Sequence, residues 1–153
     1  MESSGLRGFT RRALPESLKT HAQTAHDVIS SMMGIRQTLL SAVLFDVPPV
    51  CSPLVNELIA DYQTGTGLRD HPYREAYIIV LLPGESTIGK QHDLLLLPLS
   101  RAGNPAVSVV DVEGKVLDMD WEAQDYFRIQ EMCRFRVSER GRVSALCVVF
   151  SRT

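Results

Sequence analysis

The sequence predicts an α+β fold in which N-terminal helices pack on an antiparallel β-sheet of about five or six strands. Two observations carry this. Apolar residues recur at helical intervals before about residue 70, and afterwards they come in short β-branched runs separated by Gly, Pro and Asn. The second half also carries closely spaced turn signals, Pro83-Gly84, Gly103-Asn104-Pro105 and Glu113-Gly114, which imply consecutive hairpins. At 153 residues, 44% of them hydrophobic and 22% charged, the chain suits one core. The expected organisation is a mobile segment over 1–14 and a single domain over 15–153, helical over 15–64 and β-rich over 76–151.

Taken in order, Pro15 and Glu16 suit a first helical turn and Pro48-Pro49 ends the pattern, giving a helix over 16–45 that Gly34 interrupts. Ser52-Pro53 then reads as an N-cap followed by Pro at the first helical position. Leu54, Val55, Leu58, Ile59 and Tyr62 form one apolar face before the break at Gly65-Thr66-Gly67. Strands are expected at 76–82, 93–97, 106–112, 115–119, 131–137 and 143–151. Between them Trp121, Ala123, Tyr126, Phe127 and Ile129 are spaced for a short docking helix over 121–130.

Composition excludes several classes. Net charge is −2, the N-terminus has no apolar run of signal-peptide length, nowhere do about 18 apolar residues follow one another, and Cys51, Cys133 and Cys147 are odd in number without C-x-x-C spacing. The expectation is an intracellular, cytoplasmic protein with no transmembrane segment, no metal and no cofactor. Gly84 to Lys90 spells G-x-x-x-x-G-K, but Gln91 stands where a phosphate loop needs a magnesium-binding hydroxyl, and Pro98 would cut the following helix. A surface hairpin accounts for the same residues. Cys133 and Cys147 fall in apolar strands, whereas Cys51 precedes a helix N-terminus, with His71 or His92 as a base in principle. Asp118 and Asp120 share a strand face if strand geometry persists, a pattern that a solvated turn explains better than a cation does. No catalytic residue is assigned.

Two surfaces remain as candidates. Leu18, Ala22, Ala25, Ile29, Met32, Leu39 and Val43 follow steps of four and three broken at Arg36, a seam able to pair two helices in a homodimer. Val28, Ile35 and Leu40 broaden this stripe, as packing on the chain's own sheet would require. Arg134, Arg136, Arg140 and Arg142, with Lys90, are the anion-binding candidates, because strand alternation puts Arg134 and Arg136 on one face with Phe135 on the other. The expected function is a non-catalytic interaction or assembly module that binds itself and another protein. The alternatives are a binder of nucleic acid or an anionic membrane surface through those arginines, and a small-molecule sensor.

Overall fold

Asp111 accepts backbone N–H bonds from Glu113 and Lys115, both 2.9 Å, and so closes the turn at which the β-rich half of the chain folds back on itself. The computed structural model describes residues 2–32, 42–66, 73–89, 93–122 and 124–151. Four strands lead to this turn: β4 (Tyr73–Leu81), β5 (Gly84–Ile88), β6 (Asp93–Gly103) and β7 (Val107–Val110). Four lead away from it: β8 (Val116–Met119), β9 (Asp125–Ile129), β10 (Cys133–Val137) and β11 (Gly141–Phe150). They pair in reverse, β7 with β8, β6 with β9, β5 with β10 and β4 with β11, all antiparallel. One long two-stranded ribbon is thus wound into a jelly roll, its turns joined where β11 also pairs with β6 and β10 with β7.

The winding produces two facing sheets. Three strands extend the larger one: β1 (Glu2–Leu6), β2 (Phe9–Ala13) and β3 (Ala42–Asp46). Its order is β1-β2-β9-β6-β11-β4-β3, and that of the smaller sheet is β5-β10-β7-β8. Helices α1 (Glu16–Met32) and α2 (Ser52–Thr66) cover the outer face of the larger sheet. Two apolar layers result. Phe9, Ile79, Phe127, Phe135, Ala145 and Cys147 belong to the layer between the sheets, and Leu18, Ile29, Leu58, Tyr62, Leu146 and Phe150 to the layer between sheet and helices. No helix among the described residues is long and apolar enough to cross a membrane.

All six expected strands are present and the α+β class stands, but the single sheet of five or six strands is corrected to two sheets with eleven strands among the described residues. The reasons are local. The segment expected to be a short helix contains β9, where Tyr126 enters the helix layer while Phe127 and Ile129 enter the inter-sheet layer; a strand buried on both faces loses the alternation that marks it. The segment expected to be mobile forms the β1–β2 hairpin, which pairs with β9 and carries little apolar signal in Glu2-Ser3-Ser4-Gly5. Gly8, at φ +67°, packs so close that a Cβ would lie 2.9 Å from the Glu131 amide nitrogen. The long helix ends at Met32 within the described residues, and 42–46 is strand. Gly34 lies outside the described residues.

Pro98 does not end its strand either. The β6–β11 pairing shifts between Val143 and Ala145, so Leu99 and Ser100 face the single residue Ser144 in a bulge that tolerates the missing N–H of Pro98. The bulge is buried but its polar groups are bonded. The Ser100 amide donates to the Ser144 hydroxyl at 3.1 Å, the two hydroxyls lie 2.7 Å apart, and the Trp121 indole N–H donates to the Ser144 carbonyl at 2.7 Å.

Phe135 is fully buried, edge-on to Phe9 and to Trp121, each with ring centroids 6.3 Å apart. Truncation to Phe135→Ala is expected to lower unfolding free energy in urea by about 3–5 kcal/mol, since the site is walled by rigid strands that cannot collapse into the void.

Candidate functional site

The space between the sheets is lined by both halves of the ribbon, so residues distant in sequence converge there. Strand alternation sends Ile79 and Leu81 into it from β4, Ile88 from β5, Cys133, Phe135 and Val137 from β10, and Val143, Ala145, Cys147 and Val149 from β11. Phe9 stacks on Phe127 at 4.9 Å and closes one end. Ser86 is buried on the same face of β5 as Ile88, and Tyr77 packs against this layer from β4. Burial raises the Cys147 thiol to about 12. Burial, reinforced by the Asp111 charge, does the same for Cys133. Both sulfurs are therefore protonated at neutral pH and are poor nucleophiles. The Tyr77 phenol, opposite Cys147 in the β4–β11 ladder, is also held neutral by burial.

The charged groups of the interior lie elsewhere. On the helix side, Asp61 of α2 accepts from Arg12 Nε at 2.8 Å and from the Tyr126 hydroxyl at 2.6 Å, which joins α2 to β2 and β9. Burial pushes the Asp61 carboxyl up, but the Arg12 and Tyr126 hydrogen bonds outweigh it and hold the group below its ordinary value. Gly65 leaves room for Arg12, since a Cβ there would meet the guanidinium carbon at 2.8 Å. Asp93, also facing the helices, accepts from Arg128 at 2.8 Å, and the Arg128 guanidinium sits 5.6 Å from the centre of the Tyr62 ring. Asp111 accepts a further bond from the Arg7 amide at 3.0 Å, which ties the β1–β2 turn to the β7–β8 turn and holds the carboxyl pKa below its ordinary value.

The residues singled out from sequence are dispersed. Arg134 and Arg136 do flank buried Phe135 on one face of β10, and both contact Glu85 of β5, at 3.3 and 3.0 Å. Arg140 is exposed and Arg142 half-buried; Lys90 lies outside the described residues. Leu18, Ala22, Ala25 and Ile29 are buried in the chain's own helix layer, with Met32 packed at its margin. Val43 is in β3, and Leu39 lies outside the described residues. Gly84 to Ile88 is strand, so the G-x-x-x-x-G-K match is not a loop opening a helix. Cys51 is 2% exposed and burial raises its thiol, contrary to the thiolate that a helix start would favour. Asp118 and Asp120 are exposed and line a cavity of about 170 Å³ with Arg11 and Asp125. Sequence reasoning missed the inter-sheet lining as a unit; its signal was the odd-numbered alternation Val143, Ala145, Cys147, Val149.

No protein-family model matches the chain, and no curated protein matches it in sequence. Solved structures do. A prolyl-4-hydroxylase from Pseudomonas putida superposes with a TM-score of 0.60 at 13% identity, covering 95% of this chain and 93% of its own. HygX from Streptomyces hygroscopicus, with nickel and 2-oxoglutarate bound, gives 0.61 at 12% identity over 95% and 83%. An oxidoreductase of the 2OG-Fe(II) oxygenase family from Burkholderia pseudomallei gives 0.55 at 14% identity over 95% and 85%. These neighbours correct the expected reading as a non-catalytic interaction module, because the shared architecture is one used for oxygenase chemistry. The donor set does not follow the fold. Iron of this kind is held by two histidines and a carboxylate, and no three His, Cys, Asp or Glu are grouped to hold a cation among the described residues. His21 and His26 are on α1, away from the inter-sheet layer; His71 and His92 lie outside the described residues. What the comparisons establish is the fold, a jelly roll of the kind found in 2-oxoglutarate-dependent oxygenases.

Two outcomes follow from the buried groups. Because the folded-state pKa of Asp61 lies below its unfolded value of about 3.9, its stabilisation is complete above that pH and fades as pH falls through the folded value. Asp61→Asn is expected to be less stable at pH 7 and to have a flatter stability profile below pH 4 in urea titrations. Cys51, Cys133 and Cys147 are expected to resist iodoacetamide in the folded protein at pH 8 and to react once urea unfolds it, as counted by mass spectrometry.

Proposed function

We propose that this chain is an oxygenase-type enzyme domain on the 2OG-Fe(II) fold. The observation that carries the reading is the whole-chain superposition on a prolyl-4-hydroxylase, which includes 95% of this chain and 93% of the other. Supporting it is the completeness of the wound ribbon, with all eight strands β4 to β11 paired in order. The described residues supply no iron ligand set, so the support for this reading is the architecture alone.

The test is turnover of the purified chain with Fe(II), 2-oxoglutarate, ascorbate and oxygen, followed by succinate formation in proton NMR. Succinate above a metal-free control is expected. Absence of succinate from a folded protein, alongside an active control hydroxylase, would overturn the reading.

A further inference from the structure

The inner faces of the two sheets offer a cation almost nothing. Among the described residues the buried polar or charged side chains are Ser86, Asp93, Ser100, Asp111 and Ser144. Asp93 faces the helices and is bonded to Arg128, and Asp111 already accepts three backbone N–H groups in its turn. Ser100 and Ser144 satisfy each other in the bulge. The heteroatoms on the inner faces of β4, β5, β10 and β11 are the Ser86 hydroxyl, the Tyr77 phenol and the thiols of Cys133 and Cys147, none of them anionic at neutral pH. Around them, stacked Phe9 and Phe127 and the edge-on ring of Phe135 form an apolar lining that offers a partly hydrated divalent ion no partner. Moving such an ion into this layer would strip its hydration without returning a charged ligand.

We infer that the inter-sheet faces of β4, β5, β10 and β11 are not a metal site in this chain, and that any divalent cation it takes is held by residues off those faces. The inference goes beyond the oxygenase reading, which requires a metal but does not say where. It also marks a departure from the way such sites are expected to be built, on rigid facing strands that preorganise the ligands.

Cobalt(II) serves as the probe, titrated into the intact chain at neutral pH and followed by visible and near-ultraviolet absorption. The expected wild-type spectrum lacks thiolate-to-cobalt charge-transfer bands. Cobalt affinity is expected to change less than twofold, against the about 10–100-fold that losing even an outer partner of a ligand costs, in Ser86→Ala, Tyr77→Phe, Cys133→Ala and Cys147→Ala, each checked for fold by circular dichroism. Charge-transfer bands in the wild type, which needs no variant to fold, or a tenfold or greater loss in any folded variant would overturn the inference. The two readings fail separately. Cobalt bound through Cys133 together with succinate formation would sink the inference and leave the oxygenase reading intact. A chain that binds no cobalt and makes no succinate sinks the oxygenase reading and leaves the inference standing.

Discussion

β11 runs between β4 and β6 with every residue from Val143 to Phe150 buried, and the rest of the molecule is arranged to make that burial possible. A strand sealed on both faces has no water to satisfy its backbone, so each N–H and carbonyl needs a neighbouring strand. β4 and β6 provide these on the two sides. Its side chains alternate between two apolar layers, which require a second sheet on one side and helices on the other. The winding of the ribbon meets the first demand and the α1–α2 pair the second. Where the ladder falters, at Ser144, the polar groups released are bonded to Ser100 and Trp121.

Charge is used at the margins of these layers. Asp61 joins α2 to β2 and β9 through Arg12 and Tyr126, Asp93 holds Arg128 against Tyr62, and Asp111 connects two turns that are more than a hundred residues apart in the chain. Removing one member of a partly buried pair leaves the other desolvated and alone, so these contacts select one arrangement of helices over sheet. The Glu85 pairs with Arg134 and Arg136 differ because all three side chains are about half exposed, where ion pairs contribute little to stability.

Function on this architecture is a matter of the residues placed on it, because one fold can carry several chemistries or keep only its scaffold. Here the scaffold matches an oxygenase over 95% of the chain, while the faces that look into the roll are apolar and buried. The packing that makes the inter-sheet layer a good core also makes it a poor solvent for ions. The inward positions of β5 and β10 hold Ile88, Cys133 and Phe135, which serve that core.

Much of the fold was legible in the residues themselves. Alternation and turn chemistry located β4, β6, β7, β8, β10 and β11, the Ser52-Pro53 start signal located α2 although Ser52 is itself helical and not an N-cap, and the face opposite Arg134 and Arg136 located Phe135 in the core. These are local signals, written within a few residues by periodicity and backbone preference. What only the tertiary structure decided is everything that depends on two-sided burial or distant pairing. β9 looked helical because Tyr126 and Phe127 are both buried, on opposite faces. The β1–β2 hairpin carries few apolar residues and draws its order from β9, more than a hundred positions away. The candidate site was the least legible of all. Its lining comes from strands at both ends of a wound ribbon, and no spacing along a chain records which residues meet when that ribbon closes.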